Sequence, residues 1–213
     1  MASSLTGLSV LTLTLALGAA SEAAPPAPTR RNVVLFLGDS LTAGLGVEPE
    51  QAYPALLAQR WKKEGLSFEA RNAGVSGSTT ADALENLDWS LTKDVGIVFL
   101  ELGANDGLRG LSLDASRKNL AAIIEKIQAR GARVVLAGML LPPNYGRDYA
   151  GRFKAMYRGL ARRYGLKMMP FLLEGVAGRP ELNGEDGIHP NAAGHKLVAE
   201  HVHDFFAREG LLR

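Results

Sequence analysis

The sequence predicts an α/β fold, a three-layer α/β/α sandwich around a five-stranded parallel sheet. Three observations carry that prediction. Short runs such as residues 32–37 and 95–101 are apolar almost throughout, as strands buried on both faces are. These runs alternate with longer segments in which apolar residues recur at helical spacing. Breaks rich in Gly, Asn and Ser separate the two kinds of segment, and the breaks that follow strands hold the residues with the most chemistry.

The elements follow in order. Residues 32–37 form the first strand, which contains the β-branched Val33 and Val34 and is stopped by Gly38. Residues 53–63 form a helix with Leu56, Leu57 and Trp61 on one face, and Gly65 ends it. Residues 67–72 read as the second strand, and Thr79 and Thr80 cap a helix that runs to about Leu87. Residues 95–101 are the third strand, closed by Gly103. Asp114 caps a long amphipathic helix that carries Leu120, Ile123, Ile124 and Ile127 and ends at Gly131. Residues 133–138 are the fourth strand, 149–164 a helix, and 167–169 a short fifth strand before Pro170. The last helix spans 191–208, with Pro190 suited to its first turn. A doubly wound sheet of this size is flavodoxin-like, and its sites form beyond the carboxyl ends of the strands.

Length and charge narrow the function classes. The 213 residues suit one domain, since domains run to ~100–200 residues. A net charge of +2, with basic residues scattered, leaves no basic stripe for nucleic acid. The chain has no cysteine, which excludes disulfides, thiolate metal sites and a cysteine nucleophile. Residues 1–23 read as a signal peptide: an apolar stretch from Leu5 to Gly18, too short to span a bilayer, then the small-residue pattern Ser21-Glu22-Ala23. Its n-region carries no Lys or Arg. Residues 24–31, with Pro25, Pro26 and Pro28, read as a linker, and 32–213 as the functional domain. The expected location is therefore outside the cytoplasm, periplasmic or secreted, with no integral membrane span in the mature chain.

Near the C-terminus, Asp186-Gly187-Ile188-His189-Pro190 places a carboxylate three residues before an imidazole. An activated hydroxyl needs such a pair: the His takes its proton, and the Asp orients the ring and stabilises the imidazolium. Gly38-Asp39-Ser40-Leu41 supplies a candidate serine just past the first strand, and Gly74 and Asn105 are candidate oxyanion donors after the second and third. All four segments fall at the same edge of the expected sheet. With Gly103-Ala104-Asn105-Asp106 between them, these blocks resemble, in order and over essentially the whole chain from Val33, the SGNH or GDSL-type hydrolases.

The resemblance makes Ser40 the nucleophile, His189 the general base and Asp186 its orienter. It assigns oxyanion donation to the Ser40 and Gly74 backbone amides and the Asn105 side-chain amide. Asp39 and Asp106 read as carboxylates that hold their loops. Longer stretches, among them Glu101 to Gly110 and Pro142-Pro143-Asn144-Tyr145-Gly146, resemble a bacterial branch of thioesterases, arylesterases and lysophospholipases. That branch implies a cleft for acyl chains and small-molecule or lipid acyl ester substrates. Asp39, Gly107, Leu108, Arg109, Pro143 and Tyr145 are the candidate substrate contacts. Many members of this branch carry Gly where this chain has Ala104, so a backbone with positive φ there would be strained. His195, His201 and His203 read as a solvated face of the last helix rather than metal ligands, and the expected chemistry needs no metal and no cofactor. A carbohydrate O-acetyl esterase on the same residues is the alternative. A non-catalytic flavodoxin-like binding module would leave the Asp–His pair unexplained.

Overall fold

The computed structural model describes residue 1 and residues 31–212, so the leader and linker expected over 1–31 lie, but for their two ends, outside the described residues. Five strands, β1 (Val33–Gly38), β2 (Glu69–Gly74), β3 (Val95–Glu101), β4 (Arg133–Ala137) and β5 (Lys167–Met169), form one parallel sheet in the order β2-β1-β3-β4-β5. Among the helices, α1 (Ser40–Ala43) and α4 (Ala104–Leu108) are single turns at the carboxyl edge. The longer ones are α2 (Tyr53–Lys63), α3 (Thr80–Ser90), α5 (Leu113–Ala129), α6 (Arg147–Tyr164) and α7 (Ala192–Arg208). α2 packs with α7 on one face, while α3, α5 and α6 pack in series on the other. The expected three layers are present.

Strand composition explains the layering. β1 is buried at every position and β3 at all but Gly96, so both need cover on two sides. Val34 and Phe36 face one layer while Val33, Leu35 and Leu37 face the other, by the two-residue period of a strand. Under α2 and α7, Phe36 packs tilted against Phe99 at 5.5 Å between centroids and meets Tyr53 edge-on at 5.6 Å. Trp61 and Phe206 close the cluster at 5.7 Å. β2 departs from the all-apolar expectation: it is an edge strand, and its exposed side carries Arg71, paired with Glu69 and Asp94.

Three local expectations change. Ser112, not Asp114, caps α5: its hydroxyl accepts from the Ala115 N–H, and Asp114 sits in the first turn. Pro190 lies outside α7, pairing with Asn183 in an isolated bridge, and Asn191 is the cap, accepting from the Ala193 and Gly194 amides. Of the three α7 histidines expected on a solvated face, His201 is partly exposed but the other two are buried. His195 is 1% exposed and His203 is 7% exposed. The Trp61 indole N–H donates to His203 Nδ1 at 3.2 Å, and the Tyr53 backbone N–H donates to His195 Nδ1 at 3.3 Å. Burial, aided by the field of His189, lowers the His195 pKa to about 4, so its ring is neutral. These histidines serve as hydrogen-bonding core residues that join α7 to α2.

Trp61 carries both the cluster packing and that hydrogen bond. Trp61→Ala should therefore destabilise the fold by about 3–5 kcal/mol. Urea melts of the two proteins measure this as a lower midpoint at unchanged slope.

Candidate active site

The serine loop is built by small clearances. Gly38 ends β1 at a point where a Cβ would collide with Thr42 Oγ1 and Glu101 Oε2, so glycine is required. Asp39 then caps α1, its Oδ1 accepting from the Leu41 N–H at 3.0 Å. Gly44, at φ +84°, ends the turn in a conformation that other residues rarely adopt. Ser40 thus stands as the first helical residue beyond the strand, 7% exposed.

The Asp–His segment reaches it from the other end of the chain. Ser40 Oγ lies 2.7 Å from His189 Nε2, and His189 Nδ1 lies 2.6 Å from Asp186 Oδ2. Because an ionised carboxylate only accepts, Nδ1 carries the proton and Nε2 is the acceptor for the serine hydroxyl. Asp186 Oδ1 takes the Ile188 and His189 backbone N–H groups, each at 3.0 Å. Hydrogen bonds from the backbone and ring of His189, with that from Ile188, lower the Asp186 pKa to about 2. The loop itself is anchored by Asn183, whose amide donates to the Val176 and Arg179 carbonyls.

The oxyanion candidates separate on inspection. Asn105 projects from α4 and its Nδ2 donates to the Ser78 carbonyl at 3.0 Å and to Asp39 Oδ2 at 3.3 Å. Ala104, helical, has no positive φ, so the methyl group introduces no strain. Gly74 does not face the serine cavity. Its N–H donates to Asn72 Oδ1 at 2.9 Å, and a Cβ there would strike the backbone of Ala43. Its function is the close approach of β2 to α1. Gly77, three residues on at φ +80°, lines the cavity with Ser40 and Asn105 instead. Neither the Gly77 nor the Ser40 N–H has a protein acceptor among the described residues. Asp106 holds its loop as expected, taking the Thr80 N–H at 2.9 Å and the Thr80 and Ser116 hydroxyls at 2.6 and 2.8 Å.

A cavity of about 680 Å³ opens beside Ser40. Leu108 and Pro143 line it as expected, together with Leu141 and Pro142. Three other expected contacts do not line it. Gly107 is packed against Leu141 and Phe153, Arg109 donates to the Gly77 carbonyl at 3.0 Å, and the Tyr145 hydroxyl donates to the Leu108 carbonyl at 2.9 Å. Asp39 borders the cavity, but it is 1% exposed and its oxygens are held by Leu41 and Asn105. The far wall, Phe171, Leu173, Ala177 and Ile188, was not among the sequence candidates. Its signal was the Phe171-Leu172-Leu173 run just past β5, at the same carboxyl edge. Glu101 was also missed: it ends β3 fully buried, with its pKa well above the usual carboxylate range from burial and from neighbouring Asp39.

The low Asp186 pKa has a stability consequence. A carboxylate at about 2 when folded, against 3.8 otherwise, contributes stability that is whole above pH 3.8 and lost as pH falls through 2. Asp186 is half exposed, so solvent screening keeps the energy small. Asp186→Asn should therefore melt below wild type at neutral pH, with the gap closing on acidification, as thermal melts at a series of pH values would report.

Comparison with known proteins agrees with this geometry. Residues 36–197 match the GDSL-like lipase/acylhydrolase family. Esterase TesA of Pseudomonas aeruginosa is 40% identical over 79% of this chain and 85% of its own length. Thioesterase 1/protease 1/lysophospholipase L1 of Escherichia coli K12 is 36% identical over 79% of this chain and 80% of its own. The crystal structure of the psychrotrophic esterase EstA from Pseudoalteromonas sp., inhibited by monoethylphosphonate, superposes with a TM-score of 0.80 at 33% identity, covering 83% of this chain and 97% of that one. The hydrogen-bonded Ser40–His189–Asp186 chain and these likenesses place the protein in the GDSL-like lipase/acylhydrolase, or SGNH hydrolase, family.

Proposed function

We propose that the chain is a serine esterase and thioesterase that hydrolyses acyl (thio)esters, including aryl esters, acyl-CoA and lysophospholipids, through an acyl-serine intermediate. The observation that carries this reading is the unbroken Ser40–His189–Asp186 hydrogen-bond chain at the mouth of an apolar cleft. Ser40 Oγ attacks the acyl carbon while His189 Nε2 takes its proton, and Asp186 stabilises the imidazolium. Negative charge moves to the former carbonyl oxygen, which the Ser40 and Gly77 N–H groups and the Asn105 amide receive, Gly77 taking the part expected of Gly74. The alcohol or thiol leaves with the proton from His189. A water, deprotonated by His189, then attacks the acyl-serine, releases the carboxylic acid and restores Ser40. The reaction uses no metal and no cofactor.

The walls point to the acyl part of the substrate. Leu108, Leu141 and Phe171 offer apolar surface, and the small residues Ala177 and Gly178 leave space between them. That apolar lining favours acyl chains over the acetyl group of a carbohydrate ester. Among the described residues, no helix is long and apolar enough to cross a membrane. Export to the periplasm or the exterior, with residues 32–213 as the working domain, rests on the leader-like composition of residues 1–23.

A panel of p-nitrophenyl esters from acetyl to lauroyl, with acyl-CoA, lysophospholipid and acetylated xylan, tests the substrate class. Preference for acetylated xylan over every longer acyl ester would replace this reading with the acetyl esterase. Ser40→Ala should abolish turnover and labelling by a serine-directed phosphonate while the melting temperature holds. Asn105→Ala should lower kcat by roughly 10²–10³ with little change in KM, as a donor used mainly in the transition state does. A pure KM effect would assign Asn105 to substrate binding.

A further inference from the structure

Beneath the nucleophile lie two buried carboxyl groups with no cation among their hydrogen-bond or ion-pair partners in the described residues. Glu101, fully buried, accepts at Oε2 from the Thr42 hydroxyl at 2.8 Å and from the Asp39 backbone N–H at 3.3 Å. Its Oε1 is buried and has no protein hydrogen-bond partner there. Thr42 Oγ1 is in turn 2.9 Å from the Tyr53 hydroxyl. Glu101 therefore holds Thr42 and the backbone of Asp39, residues on either side of Ser40 in the same turn. Asp39, whose carboxyl lies in the electrostatic field of the Glu101 carboxyl, accepts from Leu41 and from the Asn105 amide. One pair of acids thus touches both the nucleophile turn and an oxyanion donor.

The charge state follows from the surroundings. Tyr53 faces the pair from α2, Tyr157 from α6, Asp106 from α4 and His189 from the loop before α7. Among these groups of the described residues, only His189 can bring positive charge, and its field is felt by Asp39. Two adjacent anions in such a site are strongly disfavoured, and a single proton removes the repulsion and supplies a donor.

We propose that Glu101 is a positioning residue for the hydrolysis, acting as a neutral carboxylic acid that hydrogen-bonds Asp39 and so fixes both the Ser40 turn and the Asn105 amide. The inference rests on the serine-esterase reading. It resembles the use of a protonated buried acid elsewhere in enzymes, but in support of the catalytic groups rather than in contact with substrate. Glutamine can imitate the neutral acid, with a carbonyl oxygen for Thr42 and an NH2 group for Asp39.

Steady-state kinetics on one p-nitrophenyl ester decide it. Glu101→Gln should keep kcat within about threefold of wild type, while Glu101→Ala should lower kcat by about 10²-fold with KM nearly unchanged. If the glutamine variant is as slow as the alanine variant, the charge is required and the neutral-acid role is overturned. If folded Glu101→Ala turns over like wild type, Glu101 positions nothing. Should the alanine variant fail to fold, Thr42→Val removes only the hydroxyl link to Glu101. A kcat about tenfold lower at constant KM then supports the inference, and wild-type kcat overturns it. Phosphonate labelling of wild-type Ser40 keeps the two questions apart, because its failure would sink the esterase reading itself.

Discussion

The parallel register of β1 against β3 is the constraint on which the site depends. Gly38 pairs with Glu101 at the carboxyl ends of these strands, so the loops that follow leave the sheet side by side. One carries Ser40 and the other Asn105. In the order β2-β1-β3, the chain crosses over between these two strands, and the crevice of a doubly wound sheet opens at that point. A slip of one residue would send Phe36 and Phe99 to opposite layers and break up the aromatic cluster under α2 and α7. Core packing therefore enforces the spacing of the loops that carry Ser40 and Asn105.

The same register explains why a carboxyl group is buried at the end of β3. With glycine at position 38, space remains beside the strand end, and Thr42 and the side chain of Glu101 fill it. An apolar residue of that size would fill the volume but leave the Asp39 N–H without its Glu101 acceptor. A carboxyl group accepts from both Thr42 and that amide, at the cost of desolvating an acid. The opposite wall is anchored differently. His189 sits on a loop held by side-chain amides, Asn183 to the Val176 and Arg179 carbonyls and Asn191 to those of Glu181 and Asn183. Neutral donors of this kind hold backbone in place without adding a charge beside the imidazole.

Much of this was legible in the sequence, for physical reasons. Strand runs and their glycine stops are local signals, and β3 and β5 were placed to the residue. Ser40, Asn105, Asp186 and His189 were readable because each follows a strand or precedes the last helix in a doubly wound topology. The proposed glycine donor was not, since Gly77 lies three residues past the end of β2 at Gly74 and only the turn at φ +80° brings it to the cavity. The histidines of α7 misled because residue type suggests exposure, whereas Trp61 and Tyr53 supply donors that make their burial tolerable. Tyr145 and Arg109 were placed near the cleft by position. Which way a side chain points depends on partners far along the chain, here the carbonyls of Leu108 and Gly77.

The geometry of Asn105 bears on how the proposed oxyanion hole is prepared. Both N–H groups of its amide are engaged before substrate arrives, one by the Ser78 carbonyl at 3.0 Å and one by Asp39 Oδ2 at 3.3 Å. Receiving an oxyanion means giving up one of them, and the longer is the cheaper to lose. Asp39 then loses a hydrogen-bond donor just as negative charge develops nearby. Burial raises the Asp39 pKa to about 6, and the hydrogen bond proposed from a neutral Glu101 would steady its anionic form. The proposed neutral acid thus fixes the Asn105 amide through Asp39 before substrate arrives, and supports the Asp39 charge once that amide engages the oxyanion. The small movement this requires stays within the two loops that the β1–β3 register holds together.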